Sequence, residues 1–486
     1  MHKPISSMQA GFDMPNLLPI AVDLDGTLVL SDTLHETAAI ALFRRPLGLL
    51  RSLPALAKGR HIFKGTLSKE VDVTEEIFPL RENLVKWLRE KAAEGHELHL
   101  CSAADQTIVD KIAQRLGIFS SATGSAKTNL KGKAKAQYLT ERFPEGFIYV
   151  GDHAVDMPVW EASQGIVLAG VSTEVARRAR SLGKPVIKEF ETPPLTLKEF
   201  LKAIRVHHWT KNILMFVPLV LAHEWSNLPL ILETILGFFC LLAVTSATYL
   251  LNDIADLNAD RQHWSKRNRA LASGRLSISS GFMMAFGLLL GGFLVACLVS
   301  WGFAAVLFAY LLITGSYSLR LKRVPLLDTM IIGVLFTTRL IMGSTLLDNP
   351  RPAWLLTFAV FFFFSLATAK RHTEIVRAAS SGASSLKSRG YELEDATLTL
   401  ALGVSSAMAS LVVFMIFILQ ELTPGLAYTY PVFLTGISLV LAIWLGRIWL
   451  LSHRGQMNDD PVSFAIRDRV SIGLGVLIAL LFLVAL

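Results

Sequence analysis

NDIADLNADRQHWSKRNRALASG, residues 252–274, is a block of charge set between two long apolar runs. Its acid and amide residues recur at spacings of three and four: Asn252, Asp253, Asp256 and Asp260. If the preceding apolar run continues through them as a helix, these side chains share one face. Carboxylates stacked one turn apart repel each other, and a hard divalent cation with oxygen ligands relieves that repulsion. We therefore expect Mg²⁺ carrying a diphosphate here, with the three aspartates as candidate ligands.

The same block continues with basic residues that suit phosphate oxygens: Lys266, Arg267, Arg269 and Arg275. Lysine supplies a point charge and arginine a bidentate fork, so an acidic cluster followed by a basic one is what a metal and pyrophosphate site requires. A second reading stays open at this point, in which the charges belong to a solvated loop that anchors two membrane helices.

The block resembles the first aspartate-rich motif, NDxxDxxxD with a Lys/Arg-rich tail, of the UbiA superfamily of intramembrane prenyltransferases. The resemblance implies a mostly helical bundle whose active site lies in a cavity opening near one face of the bilayer. It also implies catalytic roles for Asp253 and Asp256 in holding Mg²⁺, with Asn252, Lys266 and Arg269 binding the substrate diphosphate.

Composition divides the chain in two. The 486 residues are 52% hydrophobic with a mean hydropathy of +0.47, and the apolar excess lies after residue 210. We predict a soluble domain over residues 1–195 and a polytopic membrane domain over residues 196–486.

The three cysteines are far apart in sequence and offer neither a disulfide framework nor metal spacing. The first residues lack the apolar core of a signal peptide, so the soluble domain is expected in the cytosol.

The net charge of +8 does not indicate nucleic acid, because the basic residues cluster in short loops beside apolar runs. Nine runs are centred near residues 217, 240, 290, 310, 335, 360, 408, 440 and 478. Loops 252–279, 320–325, 369–395 and 447–469 contain 5, 3, 5 and 4 Lys/Arg, whereas the opposite loops contain only Arg351. Nine spans with the basic loops on the cytoplasmic side of the inner membrane follow, which puts the soluble domain and the aspartate block on one side.

The soluble domain carries its own acidic motif. A short apolar run, Leu17–Val22, leads into DLDGTLVLSD, which places Asp23 and Asp25 just past a presumed strand. Open α/β folds bind ligands at that carboxyl edge. The motif resembles motif I of the haloacid dehalogenase-like phosphatases, DxDGT. The resemblance implies a Rossmann-like α/β fold in which Asp23 attacks phosphorus and Asp25 acts as acid and base.

Three later signals fall in the order of that family. The run ELHLCSA is expected to end a strand at Ser102, which matches the hydroxyl of motif II. Three lysines follow at a helix start, of which we favour the last: Lys131, Lys133 and Lys135. The strand FIYVGD delivers Asp152, with Asp156 four residues on, as in the metal-binding motif IV. The resemblance implies a Mg²⁺ site of Asp23, Asp25, Asp152 and Asp156. A domain that binds phosphorylated ligands without turnover remains the alternative.

Residues 32–96 separate motifs I and II and should form a small helical cap that selects the substrate. Its stretch LFRRPLGLLRSLPALAKGRHIFKG is basic and apolar and contains two prolines. Two readings remain open for this stretch: a surface that lies on anionic headgroups, or a simple exposed face of the cap.

The membrane domain holds a second chemical patch, YSLRLKRVPLLD at Tyr317–Asp328, followed by Arg339 inside the next apolar run. An arginine within a span is costly and marks a candidate site, with structural pairing to a carboxylate of a neighbouring helix as the alternative. UbiA enzymes typically carry a second aspartate-rich motif in this region of the sequence, but the patch in this chain has the single aspartate Asp328. The pattern resembles instead the decaprenyl-phosphate phosphoribosyltransferase branch, through KNILMFVPLVLA, LATAKRHTEI, KSRGY and NDDPVSFAIRDR. Candidate substrate-binding residues of the membrane domain are Lys211, Tyr317, Lys322, Arg323, Asp328, Arg339, Lys370 and Arg371.

That branch implies a Mg²⁺-dependent transfer of 5-phosphoribose from phosphoribosyl pyrophosphate to a polyprenyl phosphate. The fusion of the two domains, expected on the same side of the membrane, suggests that the phosphatase domain removes the 5-phosphate of the product. The partners would be a membrane lipid and a phosphorylated sugar donor. A conventional UbiA prenyltransferase, joining an isoprenyl diphosphate to an aromatic or other acceptor, is the alternative enzyme. A transporter or scaffold with a regulatory phosphatase-like domain is the non-enzyme alternative.

Overall fold

The computed structural model describes residues 17–71, 76–125, 130–348, 353–380, 385–386, 389–422, 428–457 and 461–486. The chain divides into two compact units: Met1–Ala203 with Asp253–Met283, and Ile204–Asn252 with Met284–Leu486. The segment that follows the aspartate motif therefore packs with the first unit. Arg351, part of KSRGY and part of NDDPVSFAIRDR lie outside the described residues. The domain boundary at residue 196 stays a prediction.

The first unit is built on a six-stranded parallel sheet of order β3-β2-β1-β4-β5-β6. The strands are β1 Ile20–Val22, β2 Leu98–Asp105, β3 Ser121–Ser125, β4 Ile148–Gly151, β5 Gly165–Ala169 and β6 Val186–Phe190. The central strands are short apolar runs buried on both faces, as parallel sheets covered by helices require. The carboxyl ends of β1, β2 and β4 meet at one edge, so the residues that follow these strands are brought together.

Nine helices belong to the amino-terminal part of this unit: α1 Thr33–Arg44, α2 Pro46–Ser52, α3 Arg60–Glu70, α4 Glu82–Ala93, α5 Gln106–Leu116, α6 Lys133–Arg142, α7 Met157–Ala162, α8 Thr173–Arg180 and α9 Leu197–Ala203. Short 3₁₀ helices occupy Leu53–Lys58 and Ala154–Asp156. The stretch between β1 and β2 is helical where the structure describes it, as predicted. Its last helix, α4, buries Leu84 and Leu88 in the same apolar cluster as β1 and β2, so α4 supports the sheet.

The remaining helices are α10 Val217–Leu221, α11 Leu228–Ala255, α12 Leu257–Gln262, α13 Ile278–Val299, α14 Trp301–Leu319, α15 Leu327–Ser344, α16 Ala353–Ser380, α17 Asp395–Phe417, α18 Val432–His453, α19 Pro461–Arg467 and α20 Arg469–Ala485. The 3₁₀ helices Val206–Phe216, Lys266–Asn268 and Leu321–Arg323, a π-helical turn Ile418–Leu422, and a hairpin of β7 Ser385–Leu386 with β8 Tyr391–Glu392 complete the described part.

Seven of the described helices are long and apolar enough to cross a bilayer: α11, α13, α14, α15, α16, α17 and α18. The prediction of nine spans is therefore not confirmed. The run near residue 217 forms a 3₁₀ helix and the five-residue α10, because Pro218 lacks the N–H that a continuous helix through this position needs. The final run forms α20, which is apolar but has only 17 residues. The described part of the second half is nevertheless mostly helical, and seven of its helices are long and apolar enough to span a membrane.

The segment 253–283 is joined to the cap by buried polar contacts. Arg261 forms a bidentate ion pair with Glu36 of α1, with N–O distances of 2.6 and 3.0 Å, and both side chains are at most 5% exposed. Arg261 also donates to the carbonyl oxygens of Ile77 and Ala272 at 2.8 and 3.0 Å. Gly274, at φ +74°, packs so closely that an added Cβ would lie 2.7 Å from Leu30. The cap and this segment thus form one packed structure.

Arg261→Ala should destabilise the first unit strongly. It leaves the Glu36 carboxylate buried without its cation, and breaking a buried pair in this way costs about 3–5 kcal/mol. The matched control is Arg275→Ala, because Arg275 pairs with Glu199 near the surface, where both side chains are 32% exposed. Thermal unfolding of the purified protein measures both variants. Equal melting temperatures for the two variants would contradict the buried-pair interpretation.

Candidate functional site

Three carboxylates converge at the carboxyl edge of the sheet. Asp23 follows β1, whereas Asp152 and Asp156 follow β4, which pairs directly with β1. One oxygen atom from each of the three side chains lies within 4.8 Å of the others. Oxygen ligands in this arrangement suit a hard divalent cation such as Mg²⁺.

A buried lysine lies against this cluster. Lys135 Nζ is 2.9 Å from Asp23 Oδ2 and 4.0 Å from Asp156 Oδ1, and it donates to the Tyr149 hydroxyl at 3.0 Å. Burial disfavours charge on Lys135, but Asp23 and Asp156 outweigh this effect and raise its pKa. Of the three candidate lysines, the structure brings this one into contact with Asp23, whereas Lys131 and Lys133 are exposed. Lys135 can therefore balance negative charge at the cluster.

The loop after β1 shows why glycine and threonine follow the two aspartates. Gly26 has φ +75°, and a Cβ there would lie 2.1 Å from Asp152 Oδ2. Thr27 donates its hydroxyl to Asp152 Oδ1 at 3.1 Å. The loop can therefore approach Asp152 closely only with glycine at position 26, and Thr27 orients the carboxylate.

Burial makes the charged forms of these carboxylates costly in the absence of a cation. Desolvation, followed by repulsion from Asp23, raises the pKa of Asp152 to about 8 and also raises the pKa of Asp156. A cluster of three carboxylates with one lysine carries excess negative charge, which a divalent cation would neutralise. The residues present therefore fit a Mg²⁺ ion.

Asp25 does not join the three-carboxylate cluster, although it was predicted as a fourth metal ligand. Its Oδ1 instead accepts the backbone N–H of Thr33 at 2.9 Å, at the start of α1. Desolvation, with a contribution from Asp32, raises the pKa of Asp25 to about 6. A carboxyl group with that pKa can exchange a proton near neutral pH, which suits an acid and base.

We expect Mg²⁺ to stabilise this protein more at pH about 8 than at pH about 6, because below the Asp152 pKa of about 8 the ion must displace a proton. A carboxyl group whose pKa is higher in the folded than in the unfolded protein stabilises the fold. This contribution is complete below the pKa of the unfolded state and is lost as the pH rises through the pKa of the folded state. The ion-free protein should lose stability over this range while its affinity for Mg²⁺ rises up to about tenfold per pH unit.

The measurement is the Mg²⁺-induced shift of the melting temperature at the two pH values. Asp152→Asn, which cannot titrate, is the matched control and should remove most of the pH dependence. A shift that is larger at the lower pH would contradict the assignment of these carboxylates as the competing ligands.

Ser102 lies within β2, which continues to Asp105 and does not end at Ser102 as predicted, and it is 1% exposed. Its hydroxyl oxygen accepts the N–H of Ala104 at 3.2 Å. Nearby, Lys64 of α3 donates to the carbonyl oxygen of Ala103 at 3.3 Å, which brings a cap cation to the same edge of the sheet. Sequence reasoning missed Lys64, because no local pattern distinguishes it from the other basic residues of the cap.

Arg81 was also missed. Its guanidinium donates to the carbonyl oxygens of Gly26 and Thr27 at 2.8 and 2.9 Å and to the Thr192 hydroxyl at 2.6 Å. It therefore holds the backbone of the acidic loop after β1. These partners are far from Arg81 in sequence, so the residue gave no signal before the fold was known.

The aspartate-rich segment differs from its predicted geometry. Helix α11 ends at Ala255, Asp256 interrupts it with φ −99° and ψ 12°, and α12 begins at Leu257. The prediction of one continuous helical face is therefore wrong. Asp253 and Asp260 are buried and share Arg269, at 3.1 and 2.6 Å, whereas Asp256 is exposed.

The charges of this segment are partly balanced within it. Burial raises the pKa of Asp260 against the opposing effect of Arg269, and Lys266 lies 3.9 Å from Asp260. Asp253 and Asp256 lie at the carboxyl-terminal end of α11, where unpaired carbonyl groups favour a cation. Among the described residues, the acidic groups close enough to hold a metal do not include these aspartates, so a Mg²⁺ site at Asp253 and Asp256 stays a prediction. Asp260 serves to hold Arg269.

The second unit contains a buried polar centre around Asp328, which is 0% exposed. Arg371 of α16 donates to Asp328 Oδ2 through Nε at 3.0 Å and Nη2 at 2.7 Å, and it also pairs with Glu374. Tyr391 donates its hydroxyl to Asp328 Oδ1 at 2.6 Å and accepts the N–H of Leu326 at 2.8 Å. Asp328 and Arg371, both predicted to bind substrate, are thus bound to each other and fix three chain segments.

Arg339 is 8% exposed and lies within α15. Its guanidinium donates to the side-chain oxygen of Asn212 at 2.8 Å and to the Tyr310 hydroxyl at 3.2 Å, and it also contacts the Leu335 carbonyl. These three acceptors are uncharged. The alternative for Arg339 is structural pairing with a carboxylate of a neighbouring helix. Within the described residues Arg339 forms no such ion pair.

The other predicted residues of the second unit are more dispersed. Tyr317 accepts a hydrogen bond from Arg389 at 2.9 Å, and Lys211 lies 5.9 Å above the Phe336 ring. Arg323 is exposed, whereas Asn252, Lys322 and Lys370 are half-buried. Their individual roles stay predictions.

Comparison with known proteins identifies both parts of the chain. The model of the UbiA prenyltransferase family matches residues 213–472, and that of the haloacid dehalogenase-like hydrolases matches residues 20–161. The protein y4nM of Sinorhizobium fredii is 44% identical over 470 residues, which cover 96% of this chain and 91% of that protein. Nodulation protein NoeC of Azorhizobium caulinodans is 34% identical over 58% of this chain and 92% of its own length.

A third relative has a named activity. Decaprenyl-phosphate phosphoribosyltransferase of Mycolicibacterium smegmatis is 30% identical over 203 residues, which cover 40% of this chain and 63% of that protein.

Proposed function

The chain belongs to the UbiA prenyltransferase family and carries an amino-terminal haloacid dehalogenase-like hydrolase domain, and from this we propose that it transfers 5-phosphoribose from phosphoribosyl pyrophosphate to a polyprenyl phosphate. The observation that carries this proposal is the state of Asp328. Asp328 is the one carboxylate of the patch Tyr317–Asp328 and is held by Arg371 and Tyr391, so this patch offers no second aspartate cluster for an isoprenyl diphosphate donor. The similarity to a decaprenyl-phosphate phosphoribosyltransferase supports the same choice.

In this proposal Asp253 and Asp256 hold Mg²⁺, which neutralises the pyrophosphate leaving group when it is bound. Arg269, which Asp253 and Asp260 hold in place, and Lys266 donate to the pyrophosphate oxygens. Asp260 thus acts through Arg269 and is a positioning residue.

The acceptor needs little activation. A phosphate oxygen of the lipid is already anionic, so it forms a bond to the anomeric carbon while the bond from that carbon to pyrophosphate breaks. No strong base is required, and the polyprenyl tail stays in the bilayer. We assign Lys322, Arg323 and Lys370 to the binding of the 5-phosphate and the lipid phosphate, whereas Arg371 and Tyr391 position Asp328.

For the amino-terminal domain we propose removal of the 5-phosphate from the lipid-linked product. Asp23 attacks phosphorus to give an aspartyl phosphate, and Asp25 gives a proton to the departing ribose oxygen. Lys135 balances the charge on the phosphoryl group from its position 2.9 Å from Asp23. Water, deprotonated by Asp25, then hydrolyses the aspartyl phosphate and releases inorganic phosphate. We place this domain and the basic loops on the cytoplasmic side of the inner membrane because those loops contain 17 Lys and Arg, whereas the opposite loops contain only Arg351.

The test is to incubate the purified protein with Mg²⁺, polyprenyl phosphate and phosphoribosyl pyrophosphate labelled in the ribose. We expect the label in a lipid extract and a stoichiometric release of pyrophosphate. The control replaces the donor with a labelled isoprenyl diphosphate and an aromatic acceptor. Label in the lipid only with that second donor would overturn the phosphoribosyl proposal in favour of a conventional prenyltransferase.

A further inference from the structure

The cap exposes a row of leucines. Leu47 and Leu50 of α2 are 67% and 60% exposed, and Leu53 and Leu56 of the following 3₁₀ helix are 43% and 46% exposed. Leu47 and Leu50 are i, i+3 neighbours on the α-helix α2, and Leu53 and Leu56 align in the 3₁₀ helix that follows it. We call these four side chains, with the exposed Arg45 and Arg51 beside them, the cap leucine face. Exposed apolar residues in a continuous row mark an interaction surface.

The sequence around the cap leucine face is rich in basic residues. Residues 42–69 contain seven Lys and Arg and no Asp or Glu, although Glu70 packs against Gly48 of α2 and Glu76 pairs with Arg44. Arg45 is exposed, and its guanidinium also donates to the carbonyl oxygen of Glu70 at 3.1 Å. Leucines flanked by exposed arginines fit a surface with an apolar interior and anionic groups at its boundary. The interface of a bilayer with anionic headgroups has this chemistry.

A second observation places the cap beside a membrane-spanning helix. Phe43, in the last turn of α1 and four residues before Leu47, stacks on Phe282 with ring centroids 6.4 Å apart and planes inclined by 9°. Phe282 lies in the second turn of α13, one of the helices long and apolar enough to cross a bilayer. The cap leucine face therefore begins four residues after a contact with the start of α13.

We propose that the cap leucine face inserts into the headgroup region of an anionic bilayer, with Arg45 and Arg51 contacting lipid phosphates. The phosphatase site would then be held at the membrane surface, where a phosphate carried by a lipid can reach Asp23. This last consequence rests on the proposed function, whereas the insertion itself does not.

Insertion can be measured on the full chain. Leu50→Cys, in a background where the three native cysteines are replaced by serine or alanine, is labelled with an environment-sensitive fluorophore and reconstituted into nanodiscs. The matched control is Ser181→Cys, an exposed position after α8 on the α/β core. We expect a blue shift and quenching by brominated lipid at position 50, strengthened when phosphatidylglycerol replaces part of the phosphatidylcholine. Equal, water-like emission at both positions in both lipids would overturn the proposal.

A charge variant separates the electrostatic attraction to anionic headgroups from the burial of the leucines. Arg45→Glu with Arg51→Glu should remove the dependence on phosphatidylglycerol and weaken the quenching at position 50 by about tenfold or more, since each basic residue near an anionic surface contributes to binding. Quenching that is unchanged by this double substitution would contradict the role assigned to the two arginines.

A kinetic experiment tests the consequence for catalysis. Leu47→Gln with Leu50→Gln changes only exposed side chains, so the fold should persist. We expect hydrolysis of soluble p-nitrophenyl phosphate to stay near that of the parent protein, while release of phosphate from a lipid-linked phosphoribose falls by about tenfold or more. If both substrates are hydrolysed equally well by the variant, the face has no role in presenting lipid. If the parent hydrolyses neither, the proposed phosphatase function fails, while the fluorescence result still decides insertion.

Discussion

Asp23→Asn should abolish phosphate release, lowering the rate by at least about 10³-fold, because the amide cannot form the aspartyl phosphate on which the proposed hydrolysis depends. Asp23 is held for this role by the backbone N–H of Leu24 at 2.8 Å and by Lys135 at 2.9 Å. The measurement is the release of inorganic phosphate from lipid-linked phosphoribose and from p-nitrophenyl phosphate.

Asp110→Asn is the matched control, since Asp110 is an exposed carboxylate of α5 outside the cluster. It should leave the rate unchanged. In the Asp23→Asn variant the labelled 5-phosphoribosyl lipid should accumulate, because the transferase residues are untouched. Phosphate release at the parental rate by Asp23→Asn would refute the assignment of the nucleophile.

In the amino-terminal domain, local sequence patterns located most residues of the acidic cluster. The order of the motifs located Asp23, Lys135, Asp152 and Asp156, because each follows or precedes a strand or helix whose own pattern is clear, and parallel strands bring those positions to one edge. The Asp25 position was found by the same motif, but its side chain is turned to Thr33 by the start of α1. Arg81 could not be found, because its role depends on three partners that only the folded chain brings to it.

In the membrane domain, by contrast, the local sequence pattern did not predict where α11 ends. Hydropathy predicted nine spans, of which the described structure has seven, and the continuation of α11 through Asp256 was predicted from helical spacing alone. The helix ends because segment 253–283 packs with the first unit, where Arg261 reaches Glu36 and Gly274 lies against Leu30. Such tertiary contacts override local periodicity, and no signal in residues 252–260 reports them.

Asp256→Asn should lower the transfer of phosphoribose by about 10²-fold or more without lowering the melting temperature. Asp256 is exposed at the interruption between α11 and α12, so the fold does not depend on its charge in the way it depends on buried pairs. Its carboxylate is proposed to bind the cation that neutralises the leaving pyrophosphate, and removing one such interaction typically costs this much in rate. The measurements are the initial rate with labelled donor and its dependence on Mg²⁺ concentration.

Asp253→Asn and Asp348→Asn make the comparison informative. Asp253 is buried and contacts Arg269 at 3.1 Å, so its replacement should lower both the rate and the melting temperature. Asp348 is exposed after α15 and should change neither. A Mg²⁺ ligand role for Asp256 predicts that excess Mg²⁺ partly restores its variant, because a weaker site can still be filled. Full turnover by Asp256→Asn at limiting Mg²⁺ would mean that the aspartate-rich segment does not hold the metal. A transporter or scaffold role would then replace the transferase mechanism as the working hypothesis.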